Sequence, residues 1–353
     1  MSKPFTIYCL SEAVSPLTHM MGVAGNEALV MRMPVYHQGR VTEVPALTGN
    51  MLRSVLIRRP GMEWLIEAGG LAGVITRPEA YFLLAGGAEY EGGGRESMKL
   101  IHDLSEACPL AGALGGCTPG QIYAGSLCVD QGVLLCRENE SRVGTFLPPG
   151  CNLPDGVRLR PAAEWVARYQ YYRHDHAAGV DGHHGPGPDA AERAAELADW
   201  DGKGKPESAA STPLKGERKD GKAASMPFGG ECVIPGAVFA HRITLLHPTR
   251  LEIGAVLFSL RLWSAYASRV GGMTARGHGL LRTVVSYDLA AVGSDDEYAA
   301  HVLARADALG KWLIEAFRPK RGADAKPKKG RGKKADEKPA EEAGAGAEAV
   351  PGE

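Results

Sequence analysis

The sequence predicts an α+β fold on a ferredoxin-like sheet, and three of its segments carry this prediction. Residues 231–288 contain in order a strand, an amphipathic helix, a glycine-rich loop and a strand, the pattern of a split β-α-β unit. An apolar strand is expected at 5–14, and Thr48 can cap a helix over 48–59. That strand and that helix can supply the other half of the fold.

Composition restricts the class of protein before any motif is considered. The 353 residues are 44% apolar, enough for one large or two ordinary domains with a sizeable core. The seven cysteines are odd in number and contain no CxxC pair, so we expect reduced thiols, mostly in the core, and a cytoplasmic protein. No stretch of about twenty apolar residues exists, which excludes a membrane span.

The first quarter of the chain predicts two strands and a helix. After the strand at 5–14, the sequence is loop-like up to Glu27 and strand-like from Ala28 to Tyr36. Apolar residues at helical spacing follow Thr48, and Pro60-Gly61 is expected to break this helix before it resumes.

The middle of the chain predicts a helix, a hairpin and a long mobile insertion. Residues 95–107 favour a helix, and two strands are expected to meet in a hairpin at the turn Asp130-Gln131-Gly132. From about Asp155 to Phe228, a short aromatic and basic piece precedes a stretch of Gly, Pro, Asp, Ala and Lys, which cannot bury a core.

The last third contains the clearest helix of the chain. One long strand is expected over "ECVIPGAVFAHRITLL", followed by a helix at 251–269 and the strand "LLRTVVSYDL". The helix has an apolar stripe formed by Ile253, Val256, Leu257, Leu260 and Trp263. A further helix is predicted from about Glu297 to Phe317, and low-complexity sequence follows Pro319, with a basic run from Arg318 to Lys334 before acidic residues.

The glycine loop "GGMTARGHGLL" at 271–281 does not bind a nucleotide in either of the familiar ways. Gly272 and Gly277 have P-loop spacing, but His278 and Gly279 stand where a lysine and a hydroxyl are required. A dinucleotide loop follows a strand and opens a helix, whereas here the order is inverted. Two interpretations stay open: the glycines make the turn from helix to strand, or a nest of N–H groups beside Arg276 and His278 holds a phosphate.

Three segments in this order resemble one protein family. "VPALTGNMLRSVLIRR" resembles the helix start of the repeat-associated (RAMP) superfamily of CRISPR effector proteins. "CPLAGALGGCTPGQIYAGSLCVDQGVLL" resembles its glycine-broken loop and hairpin, and "VIPGAVFAHRITLLHPTRLEIGAVLFSLRLW" with "GGMTARGHGLL" resembles its last β-α-loop-β unit. The similarity is strongest to the backbone subunit, the "Cas seven" family. "SPLTHMMGVAGNEALVMRMPV" is most similar to the type IV branch, with type III second.

The resemblance implies a right-hand-shaped fold, in which a palm of the modified RNA-recognition type carries inserted finger and thumb segments. Residues 1–154 would form the first part of the palm with finger insertions, and 155–230 the thumb or flexible insertion. Residues 231–318 would complete the palm with its last β-α-β unit and a helix, and 319–353 would be a disordered basic-then-acidic tail.

In this family a basic residue at the helix start contacts guide-RNA phosphates, and the matching residue here is Arg53, beside Asn50. A helix amino end and an arginine suit anions on physical grounds as well. Ser54 replaces the family's glycine, which affects how closely an RNA backbone can approach. Arg58 and Arg59 favour a solvated face, from which one of them could neutralise a phosphate.

A second group of candidates interleaves aromatic and basic side chains, as single-strand binders do. It comprises Arg168, Tyr169, Tyr171, Tyr172 and Arg173, which could equally pack on a neighbouring subunit. The complete set of expected RNA-binding residues is Asn50, Arg53, Arg58, Arg168, Tyr169, Tyr172, Arg173, Gly272, Arg276, Gly277 and His278.

No metal or other cofactor is expected. A histidine-rich run has spacing that suits zinc, but it lacks cysteine and lies among glycine and proline, which favours a flexible loop. This run is His174, Asp175, His176, His183 and His184. Four cysteines are too irregularly spaced for a zinc knuckle and are expected in the core: Cys108, Cys117, Cys128 and Cys136.

Catalysis is not expected either. In type III backbone subunits an aspartate after the first strand cleaves target RNA, and the matching loop here, His19 to Glu27, contains none. Glu27 and His19 are the only substitutes, and a lone carboxylate without a positioned partner is a poor active site.

The leading hypothesis is a binding protein that coats guide RNA in several copies. Its partners would be the guide (crRNA), a target nucleic acid that is DNA or RNA, further copies of itself and other CRISPR effector subunits, with no membrane. One alternative is a metal-dependent ribonuclease of the same superfamily that acts on target or precursor RNA. A general single-strand RNA chaperone is another.

Overall fold

The computed structural model describes residues 3–24, 27–87, 98–118, 121–151, 153, 159–173, 226–266, 268–289 and 295–317. These residues belong to one unit that ends at Phe317. The predicted tail at 319–353 and most of the predicted thumb, 174–225, lie outside the described residues.

The described strands and helices follow one another along the chain as listed here. The strands are β1 (Phe5–Ala13), β2 (Met20–Ala24), β3 (Glu27–Val30), β4 (Arg32–His37), β5 (Arg40–Leu47), β6 (Gly116–Thr118), β7 (Gln121–Tyr123), β8 (Leu127–Val129), β9 (Gly132–Leu134), β10 (Val166–Arg173), β11 (Met226–Val233), β12 (Val238–Leu245) and β13 (Leu281–Ser286). The helices are α1 (Gly49–Leu52), a π-helical segment (Arg53–Arg58), α2 (Arg59–Ala68), α3 (Arg77–Ala85), α4 (Met98–Ala107), α5 (Pro109–Leu114), α6 (Glu140–Val143), α7 (Arg250–Tyr266), α8 (Asp295–Leu303) and α9 (Ala306–Phe317).

The central sheet has the strand order β13-β1-β12-β9-β5-β4, with β8 also paired to β12. β1 pairs antiparallel with both β12 and β13, and β12 pairs antiparallel with β8 and β9 on its other edge. β12 and β13 are therefore parallel strands separated by β1 and joined through α7. In the same way β1 and β8–β9 are separated by β12 and joined through the helices after Thr48. These two interleaved split β-α-β units are the ferredoxin-like arrangement that the sequence predicts.

Alternating burial explains why β1 and β12 form the middle of the sheet. Every second residue of β1 is buried from Phe5 to Ala13, while the residues between them are partly exposed. Phe239 and Ile243 of β12 are buried in the same way and join one large core with the apolar stripe of α7. A period of two is the pattern of a strand with one covered face, so the local sequence sets the register.

The expected break at Pro60-Gly61 is wrong, because the helix continues through a π turn into α2. The Arg59 N–H donates to the Ser54 carbonyl, five residues back. Pro60 then lies in the first turn of α2, where a proline is tolerated. A Cβ atom at Gly61 would overlap Leu110 and Ser259, so this glycine allows α2 to pack closely on α5 and α7.

The expected hairpin at Asp130-Gln131-Gly132 is also wrong. β8 and β9 do not pair with each other; they pair in succession along the same edge of β12. Asp130 bridges the two stretches, because its N–H donates to the Arg242 carbonyl and its carboxylate accepts from Arg242 Nε at 2.8 Å. A Cβ atom at Gly132 would lie 2.9 Å from Leu47 Cβ, so this glycine serves the approach of β5 and not a reversal of the chain.

The single long strand expected before α7 is two strands in different sheets. Pro235 has no N–H to donate and Gly236 has a φ of +90°, and the chain turns there between β11 and β12. β11 belongs to a second sheet with the order β10-β11-β3-β2. β2 itself lies in a stretch that was expected to be a loop, and the last predicted helix is divided into α8 and α9.

The cysteines follow the sequence prediction in part. Four cysteines are buried, as expected: Cys9, Cys108, Cys136 and Cys232. None of the described cysteines forms a disulfide. Two cysteines, Cys128 and Cys151, are exposed instead, because they lie at positions that the core does not cover. No described helix combines the length and apolar character that crossing a membrane requires.

His241 is the exception in the apolar core. It lies on β12 opposite Cys9 of β1, is fully buried, and neither ring nitrogen has a hydrogen-bond partner among the described residues. Burial lowers the pKa of His241 to about 4, and the charge of Asp130 opposes this shift only weakly. The ring is therefore neutral at pH 7, and its protonation would place an unpaired cation in the core.

This histidine makes the fold sensitive to acid. Between pH 6.5 and about 4 the unfolded chain binds a proton at His241 that the folded chain does not, so the free energy of unfolding falls as the pH is lowered. We expect His241→Leu to remove this contribution. The stability difference between the variant and the wild-type protein should grow by about 3 kcal/mol from pH 7 to pH 4 in urea unfolding. A difference that stays constant with pH would contradict this assignment.

Candidate nucleic-acid interface

Two consecutive residues, Thr18 and His19, join the start of the helix to the glycine loop. The Thr18 carbonyl accepts from the Gly272 N–H at 2.6 Å, and the Thr18 hydroxyl lies 2.8 Å from His278 Nδ1. His19 Nε2 accepts from the Thr48 N–H at 3.3 Å. Thr48 is the predicted helix cap, and its hydroxyl accepts from the Met51 N–H. Two motifs far apart in sequence thus lie against one short connection after β1.

The two histidines at this connection carry no charge at neutral pH. His19 Nε2 accepts a backbone N–H and is therefore unprotonated, and burial lowers the pKa of His19. The pKa of His278 is lowered by burial and by the charge of Arg276. Positive charge for an anionic ligand must then come from arginine side chains.

The glycines of the loop have different roles. Gly271 has a φ of +79° and Gly279 a φ of +84°, and a Cβ atom on them would overlap the carbonyl oxygens of Thr18 and Val270 respectively. Gly277 has a φ of +86°, but nothing lies within 4 Å of its Cβ position. Gly272 has no positive φ, and a Cβ atom there would make only ordinary contacts, the nearest at 3.5 Å. The turn and its packing therefore explain three of these glycines and leave Gly272 without a structural requirement.

Five N–H groups of the loop are not free for the nest that was one of the two open interpretations. The N–H groups of Gly272, Arg276, Gly277, His278 and Gly279 all donate to carbonyl groups of the chain, as far as Pro16. These bonds close the loop and tie it to the connection after β1. A phosphate at this loop could not bind to these five groups and would contact side chains or the remaining surface of the loop.

Arg53 is the unusual cation of this region. It is half-buried at the junction of α1 and the π-helical segment, and its Nε is buried with no hydrogen-bond partner among the described residues. It makes no ion pair with any described residue, and burial lowers its pKa. Asn50, the neighbouring candidate, is exposed in the first turn. Arg53 is thus a partly desolvated positive charge without a counter-charge in this part of the chain.

Arg58 does not form the solvated face that was expected. Its side chain is only 7% exposed and donates to the carbonyls of Phe82, Leu83 and Gly115, the last at 2.8 Å. Burial and then the charge of Arg53 lower its pKa to about 10. Arg58 therefore holds the end of α3 in place and is not available to a ligand, while Arg59 is exposed as predicted.

The aromatic and basic candidates lie on β10, and one of them reaches the glycine loop. The ring of Tyr169 packs edge-on against His278, with centroids 5.3 Å apart. Arg168 is exposed and forms an ion pair with Glu27 at 3.5 Å. The backbone of Tyr172 and Arg173 belongs to β10, but their side chains lie outside the description. Arg276 is exposed in the loop itself.

The described part of the chain bears on metal binding, and the two substitute residues for catalysis can be placed in it. No group of three or more His, Cys, Asp and Glu side chains in the described ranges could hold a metal ion, and the run from His174 to His184 lies outside those ranges. Glu27 pairs with Ala24 at the far end of the β2–β3 hairpin, whereas His19 precedes its near end. At about 3.3 Å per residue, these two residues are roughly 15 Å apart.

Sequence reasoning missed the contacts that unite the site. Thr18 is fully buried, and nothing in its local sequence distinguishes it from an ordinary strand end. Arg269 donates from Nη1 to the His278 carbonyl at 3.0 Å, and Ser15 accepts from the Leu280 N–H at 2.9 Å. The available signal for this contact was a polar residue, Thr18, shortly after β1. Its hydrogen-bond partners in the glycine loop lie more than two hundred residues further along the chain.

Comparison with known proteins gives similarity to solved structures. No protein-family model and no curated protein matches the chain. The chain is similar to a chain of a "Type IV-B CRISPR Complex", with 14% identity and a TM-score of 0.45 over 80% of this chain and 90% of that chain. It is also similar to Csc2 of Thermofilum pendens, with 14% identity and a TM-score of 0.34 over 89% and 80% of the two chains.

Both TM-scores are below 0.5, so the function is inferred from the residues of the chain itself.

Alanine at three glycines separates the requirements of the loop. Gly271→Ala should destabilise most, because it adds an overlap with Thr18 to the cost of a positive φ. Gly277→Ala is its matched control and should cost about 1–2 kcal/mol from the positive φ alone. Gly272→Ala should stay within about 0.5 kcal/mol of the wild-type protein in urea unfolding. Equal losses at Gly271 and Gly277 would show that the overlap is relieved by movement of the loop.

Proposed function

We propose that the chain is a guide-RNA-binding backbone subunit of a CRISPR effector complex and that several copies coat the spacer of the guide. The observation that carries the proposal is the unpaired, half-buried guanidinium of Arg53 at the position where the resembled family contacts phosphate. A buried charge without a partner is costly, so its retention favours an anionic ligand that pairs with it.

The electrostatics around Arg53 favour a phosphate over a neutral ligand. Arg53 and Arg58 are close enough for the charge of one to lower the pKa of the other. The guanidinium of Arg58 donates to backbone carbonyls, which do not neutralise its positive charge. A guanidinium can bind a phosphate through two parallel hydrogen bonds, and such charge-assisted bonds are about twice as strong as neutral ones.

The glycine loop supplies a second contact surface in this proposal. Gly272 needs to be a glycine neither for its φ nor for its packing, which is consistent with close approach of an RNA backbone. Arg276 is exposed next to it, and Tyr169 packs on His278 of the same loop. RNA would lie across side chains and glycine surface, since the N–H groups of Gly272 and of residues 276–279 already donate to carbonyl groups.

The palm, finger and thumb assignments follow from the same proposal. Arg173 and Met226 face each other across β10 and β11, so the chain leaves the second sheet and returns to it at the same place. The thumb expected within 155–230 would displace a base at intervals and leave the intervening bases free. Base pairing would then supply the specificity for a DNA or RNA target, as in other RNA-guided complexes. Further effector subunits would join the assembly in the cytoplasm.

We expect Arg53→Gln to weaken guide-RNA binding about tenfold or more, because one charge-assisted phosphate contact is lost. The slope of log K against log salt should decrease by about 0.7, the value for one phosphate on a single strand. Fluorescence anisotropy with labelled guide RNA at several salt concentrations measures both quantities.

Arg40→Gln is the matched control for the loss of one arginine charge. Arg40 is exposed at the start of β5, seven residues before Leu47 and the helix start. At about 3.3 Å per residue it lies more than 20 Å along the strand from Thr48. For Arg40→Gln, the slope of log K against log salt should equal that of the wild-type protein. If Arg53→Gln keeps the wild-type affinity and slope while both variants remain folded by circular dichroism, this placement of the RNA is wrong.

The chain is proposed to bind RNA without cleaving it. The separation of His19 from Glu27 and the use of His19 Nε2 by Thr48 support this part of the proposal. We expect purified protein to leave guide and target RNA intact with Mg²⁺ or Mn²⁺ on denaturing gels. Cleavage that copurifies with the wild-type protein and is lost in His19→Ala or Glu27→Ala would instead support the ribonuclease alternative.

A further inference from the structure

A groove lies between α2 and α7 and is not part of the interface described above. Its volume is about 1130 Å³, and Trp64 and Phe258 form part of its floor, packed edge to face with ring centroids 4.5 Å apart. Tyr266 at the end of α7 also lines it and is 85% exposed. Tyr266 and the half-buried Trp64 thus give the groove accessible aromatic surface.

The groove adjoins the candidate interface at the glycine loop. Gly271 and Thr274 line one end of it, while Gly272 between them bonds to Thr18 on the other side of the loop. Val55, two residues after Arg53 in the π-helical segment, also lines the groove. A chain molecule that crosses the glycine loop can therefore continue into this groove.

The size and openness of the groove favour a polymer. Small-molecule sites enclose about 300–1,000 Å³ and cover most of their ligand, whereas this groove is larger and open along one side. Single-stranded nucleic acids bind through exposed aromatic rings that stack with bases and cations that follow the backbone. Tyr266 offers such a ring, and it lies beside Arg269 in the same lining.

The charges of the two walls are unequal. On one wall, Arg261 lies on α7 and Arg269 on the segment that follows α7. On the other wall, Glu63 and Glu67 lie on α2, which begins at Arg59. Arg261 packs over Phe258 and lies 4.0 Å from Asp296, yet its side chain stays more than half exposed. Phosphates are favoured along the α7 wall, and glutamates on the opposite wall can accept hydrogen bonds from base amino groups.

We propose that this groove binds single-stranded nucleic acid, with bases against Tyr266 and phosphates along Arg261 and Arg269. The proposal rests on the proposed function, because the strand would enter the groove over the glycine loop. The groove extends the contact of each copy beyond the nucleotides held at Arg53. Its ligand is a further part of the same RNA that crosses the glycine loop.

The test compares two exposed tyrosines. Tyr36, 76% exposed on β4, is the matched control for Tyr266. Anisotropy is measured with unstructured RNA and DNA oligonucleotides of about 6 and about 20 nucleotides, lengths that bracket common single-strand sites. Tyr266→Ala should weaken binding of the longer oligonucleotide about tenfold, the loss of one stacked base, and should leave the shorter one less affected. Tyr266→Trp should restore the affinity, and Tyr36→Ala should behave as wild type.

The outcomes separate this proposal from the proposed function. If Arg53→Gln weakens RNA binding while Tyr266→Ala and Arg269→Gln bind both lengths like the wild-type protein, the groove proposal is wrong and the proposed function stands. If the wild-type protein binds no RNA of either length, the proposed function fails and the groove proposal fails with it. If Tyr266→Ala keeps nucleic-acid affinity but loses association with another subunit in size-exclusion chromatography, the groove is a protein site and the proposal is overturned.

Discussion

The connection that follows β1 is the constraint on which the candidate interface depends. β1 lies in the middle of the sheet, paired on both edges, so the residues after it leave the core at a fixed place. Thr18 then bonds to the glycine loop through its carbonyl and its hydroxyl, and His19 bonds to the helix cap. Loop and helix start are far apart in the sequence, and this connection bonds to both of them.

Electrostatics complement this geometry, because the interface has cations but few anions to neutralise them. The histidines are held neutral by burial and hydrogen bonding, and Arg58 is committed to backbone carbonyls. Arg53 is left with a buried Nε and no counter-charge among the described residues. Under the proposed function, a phosphate would pair with this guanidinium with little reordering of the chain, because the side chain is already partly enclosed.

The elements that the sequence predicts well are those whose signals are local. The alternation of β1, the apolar stripe of α7 and the cap at Thr48 each depend on neighbours within a few residues, and each is confirmed. The errors occur where distant partners decide the structure. β8 and β9 align along β12 instead of pairing, and Pro60 continues a helix because a π turn precedes it. A five-residue hydrogen-bond spacing has no recognised sequence signal.

The site divides in the same way. Arg53 is a candidate because of its motif, but nothing in the sequence separates buried Arg58 from exposed Arg59, since both follow the same apolar spacing. A nest at the loop was one of two open interpretations, and the N–H groups of Gly272 and of residues 276–279 donate to carbonyls as distant as that of Pro16. Among its glycines, only the three-dimensional surroundings identify Gly272 as the position without a structural requirement.

The most direct test of this account is an electron cryomicroscopy structure of the chain assembled on its guide RNA. The account predicts a phosphate bonded to the guanidinium of Arg53 in each copy, with the RNA backbone passing over Gly272. RNA bound at another surface, with Arg53 Nε still unpaired, would contradict it.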